Sequence, residues 1–343
     1  MATRSLVTGA AGFVGSYVAD ALVARGDQVT ATDVAPAGHR NDMEYAQLDI
    51  TDPAAVRAAV KGMDAVFHVA SIVHTKRNNS ARVFEVNHGG TQTLLQACQE
   101  ASTKRFIYIS SASVVYEGKD IENGDETLPY GQGQAPYADS KIEAEKDVLR
   151  ANTDAFLTCA LRPHIVFGQG DTRFLPNILI RAKAGKLKMG VGGQSKLSDF
   201  TYIDNLIEGV LLADASLISD GKAAGQAYFI TNGEPIPFWR FVDQFLVALD
   251  YPTIKGYVPF GVAYAAAAMA ELWDTLKGGG INPENGISRF AVRYMCTHHY
   301  FSIEKAKRDL GYDPQISIDE GVRRTVAALS ESRAPGSGQM DRN

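Results

Sequence analysis

The chain contains 343 residues with a formal net charge of -5 at pH 7, and 45% of its residues are hydrophobic and 21% charged. This length predicts about two domains and excludes peptide hormones and small disulfide-stapled scaffolds. The slightly acidic balance disfavours nucleic acid and anionic membranes as partners, because such partners usually require a basic excess. Cys98, Cys159 and Cys296 form no CxxC pair or Cys/His cluster. We therefore expect neither a metal site nor a disulfide framework, and a reducing, cytoplasmic location.

Short β-branched runs alternate with longer helical patterns through the first part of the chain. Strands are predicted at residues 4–8, 28–32, 65–69, 105–110 and 158–162, and helices at 12–25, 53–60, 83–101 and 137–151. The first residues pass directly into this pattern, so we expect no secretory signal. Strands as apolar as FIYIS are typical of a sheet covered on both faces. The alternation predicts an α/β fold built on a doubly wound parallel sheet.

The rhythm changes after Pro163, where glycine-rich turns and less regular segments begin. We place a nucleotide-binding domain at residues 1–165, with part of 200–230 returning to it. A smaller substrate-binding or lid domain is expected at 166–330. Residues 331–343 have almost nothing to bury, so a disordered tail is expected there.

Three glycines follow the first predicted strand with the spacing G-x-x-G-x-x-G. They are Gly9, Gly12 and Gly15, with Phe13 and Val14 between the last two, at the start of the first helix. A glycine-rich turn lets the backbone approach a pyrophosphate, and a helix N-terminus offers it unpaired N–H groups. Alone the spacing is also compatible with a simple tight turn, but the strand and helix around it favour a dinucleotide site.

Asp33 ends the second predicted strand. A carboxylate there can accept hydrogen bonds from both adenosine ribose hydroxyls and would repel a 2′-phosphate. Val34 follows it at a position where NADP sites more often carry an arginine. We therefore expect NAD as the cofactor, with NADP kept open by the nearby Arg40. The alternative interpretation of Asp33 is a solvated loop acid.

Three further positions lie at predicted strand ends. Asp49 and Ile50 follow a further strand that comes after Asp33, and Ala70 lies in the segment HVAS at the end of the strand at 65–69. The carboxyl ends of parallel strands meet at one edge of a sheet, so we expect these residues to line the adenine and ribose crevice.

The segment YADSK contains Tyr137 and Lys141, which a helix places on one face. A nearby ammonium lowers the pKa of a phenol, so Tyr137 is a candidate general acid/base. Ser111 follows the strand FIYIS, where its hydroxyl could polarise a carbonyl oxygen. Counting along the strand favours it over Ser110 and Ser113. A half-buried tyrosine beside a solvated lysine is the alternative.

Together, GAAGFVG, Asp33, Ser111 and YADSK resemble the extended short-chain dehydrogenase/reductase superfamily. The resemblance implies a Rossmann-type fold, NAD(P) and a catalytic Ser-Tyr-Lys triad. It also implies that Asn87 supports a water and backbone proton relay to the lysine, with helix capping as the alternative. In LRPHIVFGQGD, it places Pro163 and Ile165 beside the nicotinamide.

A narrower resemblance covers residues 3–329. SSASVVYEGKDI, DFTYIDNLIEG and ITNGEPIPFWRF resemble the 3β-hydroxysteroid dehydrogenase group, with the closest similarity to its sterol-4α-carboxylate 3-dehydrogenases (decarboxylating). This implies that Tyr137 takes the proton of a 3β-hydroxyl, Ser111 holds its oxygen, and Lys141 binds the nicotinamide ribose. A carboxylate on the adjacent C4 would make the product a β-keto acid, which loses CO2 through an enol.

The second half supplies aromatic and alanine-rich segments for a small apolar substrate. They are Phe238, Trp239, Phe241, Tyr257, Phe260 and the run at 261–273. That run is too short to span a membrane. We consider a lid helix that touches a bilayer, so that the protein is peripheral at a membrane, against the alternative of ordinary core packing.

Three other functions remain open. Reduction of 2-alkyl-3-keto fatty acids also uses a greasy substrate with a carboxylate beside the reacting carbon. A nucleotide-sugar epimerase or dehydratase would need a diphosphate clamp, for which Arg173 and Arg181 are available unless they are solvated helix residues. A non-catalytic NAD(P) sensor would tend to lose the tyrosine or lysine. The superfamily resemblance also implies a homodimer through helices 83–101 and 137–151.

Overall fold

The computed structural model describes residues 2–38, 40, 43–74, 80–133, 135–276 and 288–331. The strands are β1 (Arg4–Thr8), β2 (Gln28–Asp33), β3 (Glu44–Gln47), β4 (Ala65–His68), β5 (Arg105–Ile109), β6 (Ile121–Gly124), β7 (Leu157–Pro163), β8 (Val166–Phe167), β9 (Met189–Val191), β10 (Leu197–Ser198), β11 (Thr201–Tyr202), β12 (Gln226–Ile230), β13 (Ile236–Pro237), β14 (Gly256–Val258) and β15 (His299–Phe301).

The helices are α1 (Phe13–Arg25), α2 (Pro53–Val60), α3 (Ser80–Phe84), α4 (Gly90–Glu100), α5 (Pro136–Arg150), α6 (Phe174–Lys183), α7 (Ile203–Ser219), α8 (Phe238–Ala248), α9 (Phe260–Leu276), α10 (Arg289–Met295), α11 (Glu304–Leu310) and α12 (Ile318–Glu331). A π-helical turn at Glu85–Gly89 joins α3 to α4, and a 3-10 turn at Ala112–Val115 follows β5.

Seven strands form the central sheet in the order β12-β7-β5-β4-β1-β2-β3, and every neighbouring pair is parallel. The chain runs outward from β1 to β3 and then crosses back to β4 on the other side of β1. A crevice opens at the carboxyl ends of strands where the order reverses in this way, and ligands bind there in open α/β sheets. The predicted doubly wound parallel sheet is confirmed.

The helix predicted at 83–101 is present as α3, a π-helical turn and α4 in direct succession; the prediction did not include the π-helical turn. The π-helical turn at Glu85–Gly89 separates α3 from α4 and contains Asn87. The Thr91 hydroxyl donates to the backbone carbonyl of Asn87 at 2.6 Å, and the Asn87 side chain bonds to Ile72 in the loop after β4. A π-helical turn is a single wide turn inserted in a helix, and such turns occur often at functional sites.

The second half of the chain covers one end of the central sheet and adds β12 to its edge. Its helix α7 packs against β7, β5 and α1. Phe167, Phe200 and Phe241 join the two halves in one apolar core, with the rings of the last two stacked at 3.7 Å. Among the described residues, no helix is long and apolar enough to cross a membrane.

Candidate active site

A cavity of about 620 Å³ opens along the carboxyl edge of the sheet. One end is built from the glycine turn and the ends of β2 and β3; here lie Gly9, Gly12, Phe13, Val14, Asp33, Asp49, Ile50 and Ala70. The other end lies beyond β5 and β7 and contains Ser111, Tyr137, Lys141, Pro163 and Ile165. The structure thus brings these predicted residues into one cavity wall. We call its two ends the nucleotide end and the reaction end, after the roles that the sequence predicts for their residues.

The glycine turn approaches its neighbours too closely for side chains. Gly9 has a φ of +72°, and a Cβ there would lie 2.7 Å from the backbone of Ala70. A Cβ at Gly15 would overlap the carbonyl oxygen of Gly9. Gly12 caps α1 without a side-chain bond, so the first turn of the helix lines the cavity with backbone N–H groups that no side chain caps. Such a turn suits an anionic phosphate group.

Asp33 is held at the mouth of this turn. Its Oδ2 accepts a hydrogen bond from the backbone N–H of Ala11 and its Oδ1 from that of Ala35, both at 3.1 Å. Each oxygen keeps a further lone pair for a ribose hydroxyl. Arg40, the residue for which NADP was kept as a possible cofactor, forms an ion pair with Asp20 at 3.1 Å.

Asp49 faces the same end of the cavity from the segment after β3. Its Oδ1 accepts bonds from the backbone and hydroxyl of Thr51, and these bonds lower the pKa of the carboxyl. Arg82 lies 3.6 Å from its Oδ2 and 3.1 Å from Glu85. Ala70 lines the cavity. His68, at the end of β4, is instead fully buried, and its ring is hydrogen-bonded to the hydroxyl of Thr8.

Tyr137 and Ser111 meet at the reaction end. Tyr137 lies in the first turn of α5, whose start is set by Pro136. The hydroxyl of Ser111 is hydrogen-bonded to that of Ser113 at 2.9 Å. Burial raises the pKa of Tyr137 above its ordinary value, while the Ser111 hydroxyl and the charge of Arg173 act in the opposite direction. Ser110 is unavailable because its hydroxyl donates to Glu145 at 2.5 Å.

Lys141 lies one turn further along α5 and is 2% exposed. Its ammonium donates to the Ile109 carbonyl at 2.6 Å and lies 4.3 Å from the centre of the Tyr108 ring. Burial lowers the pKa of Lys141 to about 7, and the carboxylate of Glu145 opposes that shift. Lys141 is not among the groups that shift the pKa of Tyr137 here, and the expectation that it lowers this pKa stays a prediction.

Glu145 continues the series Tyr137, Lys141, Glu145 at four-residue spacing and was not predicted. Its side chain is fully buried and is bonded to Ser110, Tyr130 and Arg162, with 2.6 Å between Oε1 and the Arg162 Nη2. The signal was available in the sequence, since an acid four residues after a lysine lies on the same helix face. Glu145 anchors the helix that carries the reactive side chains to β7.

Asn87 does not line the cavity, although it is buried beside it. Its amide group donates to the carbonyl of Ile72 at 2.9 Å and to the Ser140 hydroxyl at 3.0 Å, and its Oδ1 accepts from the backbone N–H of Ile72 at 2.7 Å. The side chain therefore ties the loop after β4 to α5. The relay to Lys141 remains a prediction.

The predicted aromatic wall was partly wrong. Phe241 is fully buried in the central core, and the Trp239 indole is buried and donates to the Val191 carbonyl at 2.8 Å. Phe241 belongs to the core that joins the two halves of the chain, whereas Trp239 packs in a cluster within the second half. Phe238, Tyr257 and Phe260 do not line the cavity either.

The residues that form the reaction end include three that the motifs did not predict as substrate contacts. Phe174 at the start of α6 and Phe290 and Tyr294 on α10 line the cavity. The Tyr294 hydroxyl is 2.5 Å from Nε2 of His164. Burial, first of all, and then the neighbouring Tyr116 and Tyr137 raise the pKa of Tyr294 well above its ordinary value. Phe290 and Tyr294 could not be predicted from the motifs, because α10 is distant in sequence and reaches the site only through folding of the second half.

Comparisons with known proteins extend this picture. Residues 6–258 match the model of the 3-beta hydroxysteroid dehydrogenase/isomerase family. The sterol-4-alpha-carboxylate 3-dehydrogenase (decarboxylating) of Mus musculus is 36% identical over 335 residues, which cover 97% of this chain and 92% of the mouse protein. The 2-alkyl-3-oxoalkanoate reductase of Stenotrophomonas maltophilia is 39% identical over 331 residues, covering 95% and 99%. The crystal structure of gox2253 is 27% identical, with a TM-score of 0.77 over 96% of this chain and 98% of that one.

Proposed function

Because the chain belongs to the 3-beta hydroxysteroid dehydrogenase/isomerase family, we propose that it oxidises the 3β-hydroxyl group of a sterol or steroid with a nicotinamide cofactor. The chain is an oxidoreductase that acts on CH–OH groups. The observation that carries the proposal is one cavity lined by Ser111, Tyr137 and Lys141 and, further along the same edge of the sheet, by the glycine turn. A reactive phenol and a nucleotide site thus share one cleft.

The residues of the chain would divide the chemistry as follows. Tyr137 accepts the proton of the substrate hydroxyl, and the Ser111 hydroxyl holds the oxygen as it becomes a carbonyl. Lys141, whose ammonium donates to the Ile109 carbonyl, would hold the nicotinamide ribose. The cofactor, when bound, supplies the acceptor for the hydride that leaves the carbinol carbon.

The cavity fits a dinucleotide in two ways. The backbone around Gly9 and Gly15 leaves no room for a Cβ, as a close approach to a pyrophosphate requires. The oriented carboxylate of Asp33 suits a ribose with two free hydroxyls. We therefore propose NAD over NADP.

In our proposal, the substrate carries a carboxylate on the carbon next to the one that bears the reacting hydroxyl. After oxidation, this group becomes the acid of a β-keto acid. The bond between that carbon and the carboxyl carbon then breaks, and CO2 is released. The electron pair of the broken bond forms the enol of the new ketone. A proton from water then adds to that carbon and restores the ketone. Reduction of a 2-alkyl-3-oxoalkanoate is the second candidate, because the Stenotrophomonas reductase of that name is 39% identical over almost its whole length.

A panel of substrates tests the proposal. Purified protein is mixed with NAD or NADP and with a 3β-hydroxysteroid, a 4α-carboxy-3β-hydroxysterol, a 2-alkyl-3-hydroxy acid or a nucleotide sugar, and the absorbance of the reduced cofactor is recorded. We expect turnover of a sterol with NAD. Tight NAD binding without turnover of any compound would instead favour a sensor, and turnover of the nucleotide sugar alone would favour an epimerase or dehydratase.

We also propose that α9 contacts a bilayer, since the substrate partitions into membranes. The exposed side chains on this helix include Val262, Met269, Leu272 and Trp273, which are 59% to 67% exposed. Tyr264 is a poor site for a test, because its hydroxyl accepts a hydrogen bond from Arg293 at 2.9 Å.

Replacement of Val262, Met269 and Leu272 by glutamate should reduce co-sedimentation with neutral phosphatidylcholine liposomes about tenfold or more, since burying carboxylates in the acyl region is costly. Turnover of a detergent-solubilised substrate serves as the folding control. Equal sedimentation of the variant and the unchanged protein would exclude this surface.

The assembly and location follow as proposals. We propose a homodimer formed through α4 and α5 in a protein that is cytoplasmic and peripheral at a membrane. Light scattering after gel filtration reads the assembly directly, and a monomer at micromolar concentration would contradict it.

A further inference from the structure

We propose that Arg173 binds a carboxylate that the substrate carries on the carbon next to its reacting hydroxyl, so that the preferred substrates are β-hydroxy acids on an apolar body. This inference rests on the proposed function and names its substrate class. Arg173 immediately precedes α6 and lines the cavity.

Among the residues that the structure describes, three cationic side chains line this cavity. Arg82 is engaged by Glu85 and Asp49 at the nucleotide end. Lys141 is buried, and its ammonium donates to the Ile109 carbonyl. Arg173 is the third, and it lies at the reaction end.

The guanidinium of Arg173 is held in place yet keeps donors for a ligand. Arg173 is an exposed residue, and its Nη1 donates to the carbonyl of Val73 at 3.1 Å. A guanidinium has five N–H donors. Within the described part of the chain, the bond to Val73 is the side-chain hydrogen bond that the Arg173 guanidinium makes. The neighbouring acid, Asp171, accepts from three backbone N–H groups at 2.8 to 3.0 Å, those of Arg173, Phe174 and Leu175. The negative charge of the Asp171 carboxylate therefore interacts with the backbone N–H groups at the start of α6.

The position suits the geometry of a β-hydroxy acid. In such a compound the carboxyl carbon is two bonds from the carbinol carbon, so the group that binds the carboxylate must lie near the base. Burial raises the pKa of Tyr137, and the charge of Arg173 is among the influences that oppose this rise. The side chains of Ile72, Val73 and Phe290, which also line the cavity, have no donor to offer an anion. A planar guanidinium binds a carboxylate through two parallel hydrogen bonds.

The test compares a 4α-carboxy-3β-hydroxysterol with its methyl ester. Both have the same ring system and hydroxyl, but only the acid carries the charge. For Arg173→Gln we expect kcat/KM for the acid to fall about 10- to 100-fold, mostly through KM, with a much smaller change for the ester. Arg173→Lys should recover part of the loss. Arg181→Gln, at an exposed residue of α6 outside the cavity wall, is the matched control and should behave as the unchanged protein.

A binding measurement separates this inference from the proposed function. Calorimetric titration of the protein with NAD present gives the dissociation constants of the acid and the ester without any need for turnover. Tighter binding of the acid, lost in Arg173→Gln, supports the inference even if no sterol is oxidised. Equal affinity for acid and ester in the unchanged protein, or an equal loss for both compounds in Arg173→Gln, would overturn it while leaving the proposed oxidation to be judged by turnover.

Discussion

Replacement of Tyr137 by phenylalanine should lower turnover about 10³-fold or more while NAD affinity changes less than about threefold. The phenol oxygen is the group that receives the substrate proton, and general acid/base groups contribute roughly 10² to 10⁴ in rate. The ring itself stays in place because it lies on α5 among buried neighbours. Steady-state kinetics and fluorescence titration with NAD give the two quantities.

The pH profile provides a second readout for Tyr137. Burial holds its pKa above the ordinary value, so the phenolate fraction rises with pH through the alkaline range. For oxidation, kcat/KM of the unchanged protein should rise over the same range, and Tyr137→Phe should lose this rise along with the activity. Near-normal turnover of Tyr137→Phe would exclude the proposed proton transfer.

Replacement of Glu145 by alanine should destabilise the fold by about 3 to 5 kcal/mol. The Glu145 and Arg162 side chains are 0% and 4% exposed, so removal of the carboxylate leaves a guanidinium buried without its counter-charge. For a chain of this length, the loss corresponds to a decrease of about 4 to 7 °C in the melting temperature. Differential scanning calorimetry measures it.

Two further variants identify the cause of that loss. Glu143→Ala removes an acid of the same helix whose pair with Lys146 is partly exposed, and it should cost at most about 1 kcal/mol. The double variant Glu145→Met/Arg162→Met removes both buried charges and should recover part of the stability lost in Glu145→Ala. If the double variant is as unstable as the sum of the two single variants, the uncompensated charge is not the cause.

Much of the fold could be predicted because its signals are local. The glycine spacing after β1 and the apolar strands set the parallel sheet, and the resemblance to the 3β-hydroxysteroid dehydrogenase group is confirmed by the family match over residues 6–258. The interruption at Asn87 could not be read from periodicity, since the π-helical turn depends on bonds to Ile72, which lies 15 residues away.

The candidate site likewise combines features set by local sequence signals with features set by long-range contacts. Tyr137 and Lys141 could be paired because four residues on a helix bring them to one face. The aromatic wall was assigned to α8, Tyr257, Phe260 and the run at 261–273, where the sequence marked apolar segments but not the direction in which they face. Phe290 and Tyr294 form that wall instead, through a fold that joins residues more than a hundred positions away from Tyr137.

The most direct test of the central claim is mass spectrometry of the products formed from a 4α-carboxy-3β-hydroxysterol and NAD. Oxidation at C3 followed by loss of CO2 predicts a 3-ketosterol lighter by two hydrogens and one CO2, formed in a one-to-one ratio with NADH. Recovery of the unchanged sterol under conditions in which the protein binds NAD and turns over a nucleotide sugar would contradict the claim.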